Sequence, residues 1–394
     1  MYRLRNGSQH YDWGSESAIP RFLRDSPDGR RVAEVWIGTH PLTPSHAVGV
    51  DVDVDLTEVA GDLPFLLKVL AADRPLSLQV HPSRSIAEAG FRAEEAAGIP
   101  LTAPHRTYKD PNHKPEMVYA LTTFDTLVGF RPTAEVLRIL APIDTELTRS
   151  LCDDLHAFPG FQGIVALVAR LLTTQIEPAE IAEIVAACES LASSGVDIKR
   201  AYVTAVEVAA HYPSDPGVVI SLLLNRLTLQ PGEAAFLGTG VIHSHLSGLC
   251  LEVMAASDNV LRAGLTSKHV DPEGLVRCLE RGMSRVARVT PDHISFSTEL
   301  FSPVGAEFAL ALVQASRADP DGVLMPVTKR SVLICTGGEV TVVNKRGQKM
   351  ELARGDSLYA GHDDGELRIH GIGEVAQAYE PGRRTPQSAL IDLV

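Results

Sequence analysis

Apolar and polar positions fall into three textures along the chain. To about Pro132, short apolar runs are punctuated by turns, and residues 32–37, 65–70 and 76–80 read as strands. Between Ser83 and Gly98 the spacing turns helical, with Ile86, Ala89 and Phe91 among acidic residues, and a loop rich in Pro and His then runs to Pro115. From Thr133 to His211 apolar residues recur at helical spacing in 164–172, 181–191 and 199–210, and Glu177-Pro178 suits a helix first turn. These stripes predict the core of a small helical bundle. Beyond Pro216 strand texture returns at 222–229, 234–237, 308–313, 331–335 and 340–343.

There is a faint internal echo. Pro231-Gly232-Glu233-Ala234-Ala235-Phe236 resembles Arg354-Gly355-Asp356-Ser357-Leu358-Tyr359, each after strand-like residues, as a duplicated β unit would produce. Strands, then helices, then strands again predict a helical domain inserted into a β framework.

At 394 residues the chain is long enough for two or three domains. With 45% hydrophobic and 22% charged residues it has the composition of a soluble globular protein, and its formal net charge of −13 argues against nonspecific nucleic-acid binding and against anionic membranes. No apolar run approaches the roughly 18–20 residues of a membrane helix, and no secretory signal is visible. The cysteines, Cys152, Cys188, Cys250, Cys278 and Cys335, are odd in number and widely spaced. A complete disulfide framework is excluded, and a reduced cytoplasmic protein is expected. Any metal must be held by His, carboxylate and amide groups.

Three constellations carry candidate chemistry. In Gln79-Val80-His81, a strand projects Gln79 and His81 from the same face, so that an amide oxygen and an imidazole nitrogen converge. In Asp110-Pro111-Asn112-His113-Lys114-Pro115-Glu116, two prolines stiffen an array of titratable groups. The third runs from Gly232 to Lys268 and includes His243, His245, Glu252, Asp258, Asn259, Arg262 and Lys268. Together they offer an oxygen–nitrogen site of Gln79, His81, Glu116 and His243, although His245 shares the spacing of His243 and the residues alone do not choose between them. Zinc accepts such donors. One anionic ligand leaves the site net positive, which suits a Lewis acid, and the neutral Gln leans toward non-redox chemistry.

These residues are similar to those of the type I phosphomannose isomerases over nearly the whole chain. The matching stretches are Tyr11-Asp12-Trp13-Gly14, Ala33 to Pro41, Leu76 to Pro82, Asn112 to Met117, Gly129-Phe130-Arg131-Pro132 and Ser257 to Thr266. Their combination in this order is specific. The resemblance implies a mainly β, cupin-type double β-barrel (jelly roll) with an inserted α-helical domain. The catalytic cupin unit would span 1–132 and 214–293, the insert 133–213, and a metal-free cupin-like unit 294–394. It implies one zinc per chain on Gln79, His81, Glu116 and His243. The family's essential arginine falls on Arg262 and its lysine beside the zinc-binding Glu on Lys114, while His113, Glu252 and Asp258 fall on polar positions lining the active site. Arg262, Lys268 and Ser77 are the expected substrate-binding residues. Two positions depart from the family: His245 stands where an aromatic pocket residue is usual, and Thr266-Ser267 lacks a proline before Lys268. A Gly-rich phosphate-binding segment at the front is absent, which points to an isomerase without a joined nucleotidyltransferase.

The implied reaction interconverts mannose 6-phosphate and fructose 6-phosphate through an enediol, with Lys114, Glu252 and His113 unranked as the base. Rival classes are a cupin oxygenase, which would bind iron and consume oxygen, and a noncatalytic sugar-phosphate-binding protein. Both Lys114 and Arg262 weigh against the latter. A monomer is favoured.

Overall fold

The computed structural model describes residues 1–49, 52–279 and 287–382. The chain is mainly β, with two antiparallel sheets and a run of helices between Thr133 and Leu222. The strand His243–Ala255 is the spine of one sheet. Its first residues pair with Gln79 and with Phe124–Phe130, and from Gly248 onward it pairs with Phe65–Ala72 and Glu116–Ala120. The register shifts between His245 and Ser247. Just beyond, Gly248 has φ +115, and a Cβ there would meet the Thr123 carbonyl at 2.5 Å, so only glycine fits. Such a bulge bends a strand. Seven residues of straight strand span about 23 Å, yet His245 Nε2 and Glu252 Oε1 lie 3.5 Å apart.

The second sheet centres on Ser331–Asn344, flanked by Leu367–Tyr379 and Ser357–Ala360. It also takes in Tyr2–Arg5, paired as Tyr2↔Tyr359, and through it His46–Gly49 and Val52–Asp55. Gly7–Gln9, only a residue further on, joins the first sheet instead. Asn6 at the crossing donates to Ser357 Oγ and accepts from Ser45 Oγ, both at 2.8 Å. The Gly232 and Gly355 turns both adopt positive φ, +91 and +90, before strands Ala234–Leu237 and Ser357–Ala360 in different sheets, which realises the echo in the sequence.

Strand alternation sorts the residues of the first sheet. Val35, Ile37, Leu67, Val69, Met117, Leu251 and Val253 pack with Phe301, Leu310, Val332 and Ile334 of the second sheet. The opposite face bears Glu34, Trp36, Lys68, Glu116 and Glu252, the row from which the site is built. Helices Glu146–Ala157, Phe161–Thr173, Pro178–Ser193 and Ala201–Ala209 form one apolar core with Leu78, Val80, Leu127, Leu246 and Leu261, so the bundle backs the site strands. Thr145 closes a capping box on the first of these, and Pro178 occupies the first turn of the third. Among the described residues no helix is long and apolar enough to cross a membrane.

Some expected elements shift. Residues 217–222 are helical and the strand begins at Leu224, because a continuously buried apolar run shows no period. Of 76–80 only Gln79–Val80 is strand; Leu76 and Leu78 instead donate singly to the His245 and Gly264 carbonyls. The runs 331–335 and 340–343 join in one strand, bulged between Cys335 and Gly337.

Bundle and sheet meet at a buried ion cluster. Asp125 accepts from Arg226 Nη2 at 2.5 Å and from Thr228, and lies 3.4 Å from Arg200 of the insert. Burial works against this carboxylate, but the Arg226 and Thr228 hydrogen bonds outweigh it and hold its pKa below the usual range. Its ionised form therefore contributes stability that is complete above about pH 4, the unfolded value, and is lost as pH falls through the lower folded value. Asp125→Asn is expected to destabilise by about 2 kcal/mol at neutral pH and to shrink the acid-side loss, both read from urea melts across pH. An unchanged midpoint would remove Asp125 from the joint.

Candidate metal centre and active site

The candidate ligand residues arrive on three segments held in register. Gln79 lies directly opposite His243 on one side and Arg262 on the other. His81 Nδ1 is 2.8 Å from the Asn259 carbonyl, and His243 Nδ1 is 2.9 Å from the Val241 carbonyl. A carbonyl only accepts, so both rings carry a proton on Nδ1, which leaves Nε2 as the atom offered to a metal. Both Nε2 atoms point at Glu116, His81 Nε2 lying 3.2 Å from Oε2 and His243 Nε2 2.9 Å from Oε1. All three side chains are buried, and His81 Nε2, His243 Nε2 and Glu116 Oε1 have no hydrogen-bond partner among the described residues. Burial, reinforced by Lys114, pushes His81 down to about 4, so it is neutral near pH 7. Burial also works against the Glu116 carboxylate, but the charges packed around it, Lys114 among them, hold it well below the usual range. A divalent cation among the two Nε2 atoms and the Glu116 carboxylate would satisfy all three, and this donor set fits zinc.

The 110–116 loop that delivers Glu116 is fastened rather than free. Asn259 Nδ2 donates to the Asp110 carbonyl at 2.7 Å and to the Asn112 carbonyl at 2.8 Å, and Asp110 accepts from Ser257 Oγ and the Asp258 N–H. Lys114 Nζ stands 3.7 Å from Glu116 Oε2.

Beside the ligands runs a charge layer that the motifs did not disclose. Lys68 Nζ lies 3.0 Å from Glu252 Oε2, 3.5 Å from Glu34 Oε1, and 5.4 Å from the centre of the Trp36 ring. Trp36 Nε1 donates to Glu34 Oε2 at 2.7 Å. Burial opposes the Lys68 ammonium, yet Glu252 and Glu34 raise its pKa. Burial likewise opposes the Glu252 carboxylate, and Lys68 holds it at about 2. The available signal was a single lysine inside Phe65–Ala72, a strand otherwise apolar and wholly buried.

Arg262 and Lys268 stand at one side of this layer with Tyr11. Arg262 is half-buried and makes no hydrogen bond or ion pair among the described residues, and burial lowers its pKa. Lys268 Nζ sits 5.6 Å over the Tyr11 ring; burial, then Arg262, lowers its pKa. Tyr11 itself is raised by burial and then by Glu34. Ser77, two residues before Gln79, is partly buried. Asp258 pairs with His40 Nε2 at 3.2 Å, a partner the motifs also missed; burial would raise this carboxyl, but the hydrogen bond from His40 lowers it. His113 is not drawn in with the rest. Its Nε2 is 3.1 Å from Glu307 Oε2 and 3.1 Å from Arg84 Nη2. His245 lies inside, against Phe124, with Nε2 toward Glu252.

The model of the phosphomannose isomerase type I catalytic domain matches residues 1–133. The mannose-6-phosphate isomerase of Escherichia coli (strain K12) is 34% identical over 400 residues, covering 96% of this chain and 99% of that protein. The Homo sapiens mannose-6-phosphate isomerase is 29% identical over 409 residues, covering 92% and 94%. The crystal structure of the Salmonella typhimurium mannose 6-phosphate isomerase bound to fructose 6-phosphate and zinc superposes with a TM-score of 0.87 at 33% identity, covering 97% of this chain and 100% of that one. Likeness of this extent, from end to end of both sequence and fold, means that the chain belongs to the type I phosphomannose isomerases, the mannose-6-phosphate isomerase family of enzymes.

Proposed function

We propose that the chain interconverts mannose 6-phosphate and fructose 6-phosphate by moving a proton between C1 and C2 of the open-chain sugar through an enediol, with a zinc ion held by Gln79, His81, Glu116 and His243. The observation that carries this reading is the convergence of three buried donor atoms, His81 Nε2, His243 Nε2 and Glu116 Oε1, that have no hydrogen-bond partner among the described residues. When bound, zinc supplies a Lewis acid for substrate oxygens. Everything else falls to the side chains.

The Asn259 and Val241 carbonyls orient the two imidazoles. Among the candidate bases, Glu252 is held by Lys68 at a pKa of about 2 and is a weak base near neutral pH. His113 is engaged by Glu307 and Arg84. We therefore assign the proton to Lys114, whose Nζ stands beside Glu116. Arg262 and Lys268, together with Ser77, hold the phosphate or the developing oxyanion, Arg262 through its planar fork. Asp258 is held by His40, whose ring packs edge-on against Trp36 of the charge layer. In the same reading the chain comprises a catalytic cupin unit from 1–132 and 214–293 and a metal-free cupin-like unit from 294–394, with 133–213 inserted, while the strands Tyr2–Arg5, His46–Gly49 and Val52–Asp55 of the first unit complete the second sheet. Residues 50–51, 280–286 and 383–394 of those spans lie outside the described residues. The enzyme would act as a cytoplasmic monomer on a small sugar phosphate.

Chelation is expected to abolish turnover and zinc to restore it, and His81→Ala to weaken zinc binding at least ~10-fold. Full turnover by metal-free protein would end the zinc assignment. Arg262→Ala should leave the melting temperature and zinc content unchanged while lowering kcat roughly 10²-fold, the scale of losing one preorganised donor. Arg262→Lys should recover only part, because a point charge does not reproduce a fork. A normal rate with a lowered melting temperature would make Arg262 structural.

A further inference from the structure

The reaction above leaves one buried histidine unused. His245 Nδ1 is 3.1 Å from Thr126 Oγ1, and that hydroxyl donates to the Ser244 carbonyl at 3.0 Å. With its proton committed, the hydroxyl accepts from the ring, so His245 carries hydrogen on Nδ1 and keeps a lone pair on Nε2. Nε2 is buried without a hydrogen-bond partner among the described residues and faces Glu252 Oε1 at 3.5 Å. His81 and His243 are built in the same way: Nδ1 tied to an oxygen, Nε2 bare toward a carboxylate. One ligand atom each from His245, Glu252 and Glu116 lies within 4.8 Å of the others. Lys68 does not occupy this point, since its Nζ sits on the other Glu252 oxygen at 3.0 Å.

We propose that His245, Glu252 and Glu116 form a second divalent-metal site, for zinc or manganese, which shares the Glu116 carboxylate with the first. An imidazole and two carboxylates suit either ion. Glu116 serves both positions because the bulge after His245 turns the strand back on itself, bringing Glu252 beside the first ligand set. The proposal rests on the first site being a metal site, as read above.

The test uses the full chain, stripped with chelator, reloaded with zinc or manganese and desalted. Metal analysis is expected to find two ions per wild-type chain and one in His245→Tyr or His245→Phe, with the melts confirming that the variants are folded. Manganese-loaded wild type should give the electron paramagnetic resonance signature of an exchange-coupled pair, replaced in the variants by that of an isolated ion. One isolated ion in the wild type overturns the second site and leaves the first standing, with a proton then held between His245 and Glu252. No bound ion overturns both. Two ions retained in a folded His245→Tyr also overturn the assignment. If neither variant folds, the wild-type stoichiometry and spectrum still decide.

Discussion

The bend in the strand His243–Ala255 is the constraint from which the site follows. A straight strand would carry His243 and Glu252 tens of ångströms apart. The register shift after His245, with Gly248 pressed against the Thr123 carbonyl, gives the strand one set of neighbours before the bend and another after it. The first half meets Gln79 and the second meets Lys68 and Glu116 through their strands. One strand thus gathers side chains from segments far apart in sequence. A Cβ at Gly248 would act on the fold and on the ligand set together.

Once gathered, the groups are tolerable only because their charges are matched. Glu34, Glu116 and Glu252 are all buried in one layer. Lys68 answers two of them and Lys114 stands by the third. Burial of ions is costly unless each is paired, so the layer is a unit in which no member is replaceable alone. Arg262 and Lys268 differ: they lie at the edge of the layer without a carboxylate of their own, and burial depresses both pKa values. In a protein of net charge −13, this edge is where cations stand without a carboxylate partner among the described residues.

The rest of the molecule serves to keep this arrangement rigid. The helical insert seals the back of the Gln79 and Leu261 strands with apolar contacts, and Asp125 pins it through Arg226 and Arg200. The N-terminal stretch threads through both sheets and crosses between them at Asn6. Glu307, on the loop before Ala309–Ala315, reaches back to Arg84 and His113. The candidate ligands therefore sit on strands and on a loop locked by Asn259.

Local order was legible in the residues themselves. The helical period of 164–191, the paired projection of Gln79 and His81, the proline-framed Glu116 and the glycine turns at 232 and 355 all follow from spacing and backbone preference over a few residues. The motifs in their sequence order also pointed to the family. What spacing does not carry is which side chains meet. His243 and His245 share a strand face, and only the bulge sets one against Glu116 and His81 and the other toward Glu252. Lys68 is an isolated charge in an apolar run until pairing puts Glu252 opposite it. His113, next to Lys114, turns instead to Glu307 of the other sheet's unit. A period determines the face on which a residue stands. Its partner is determined by register between strands distant in sequence, and that register is a property of the folded whole.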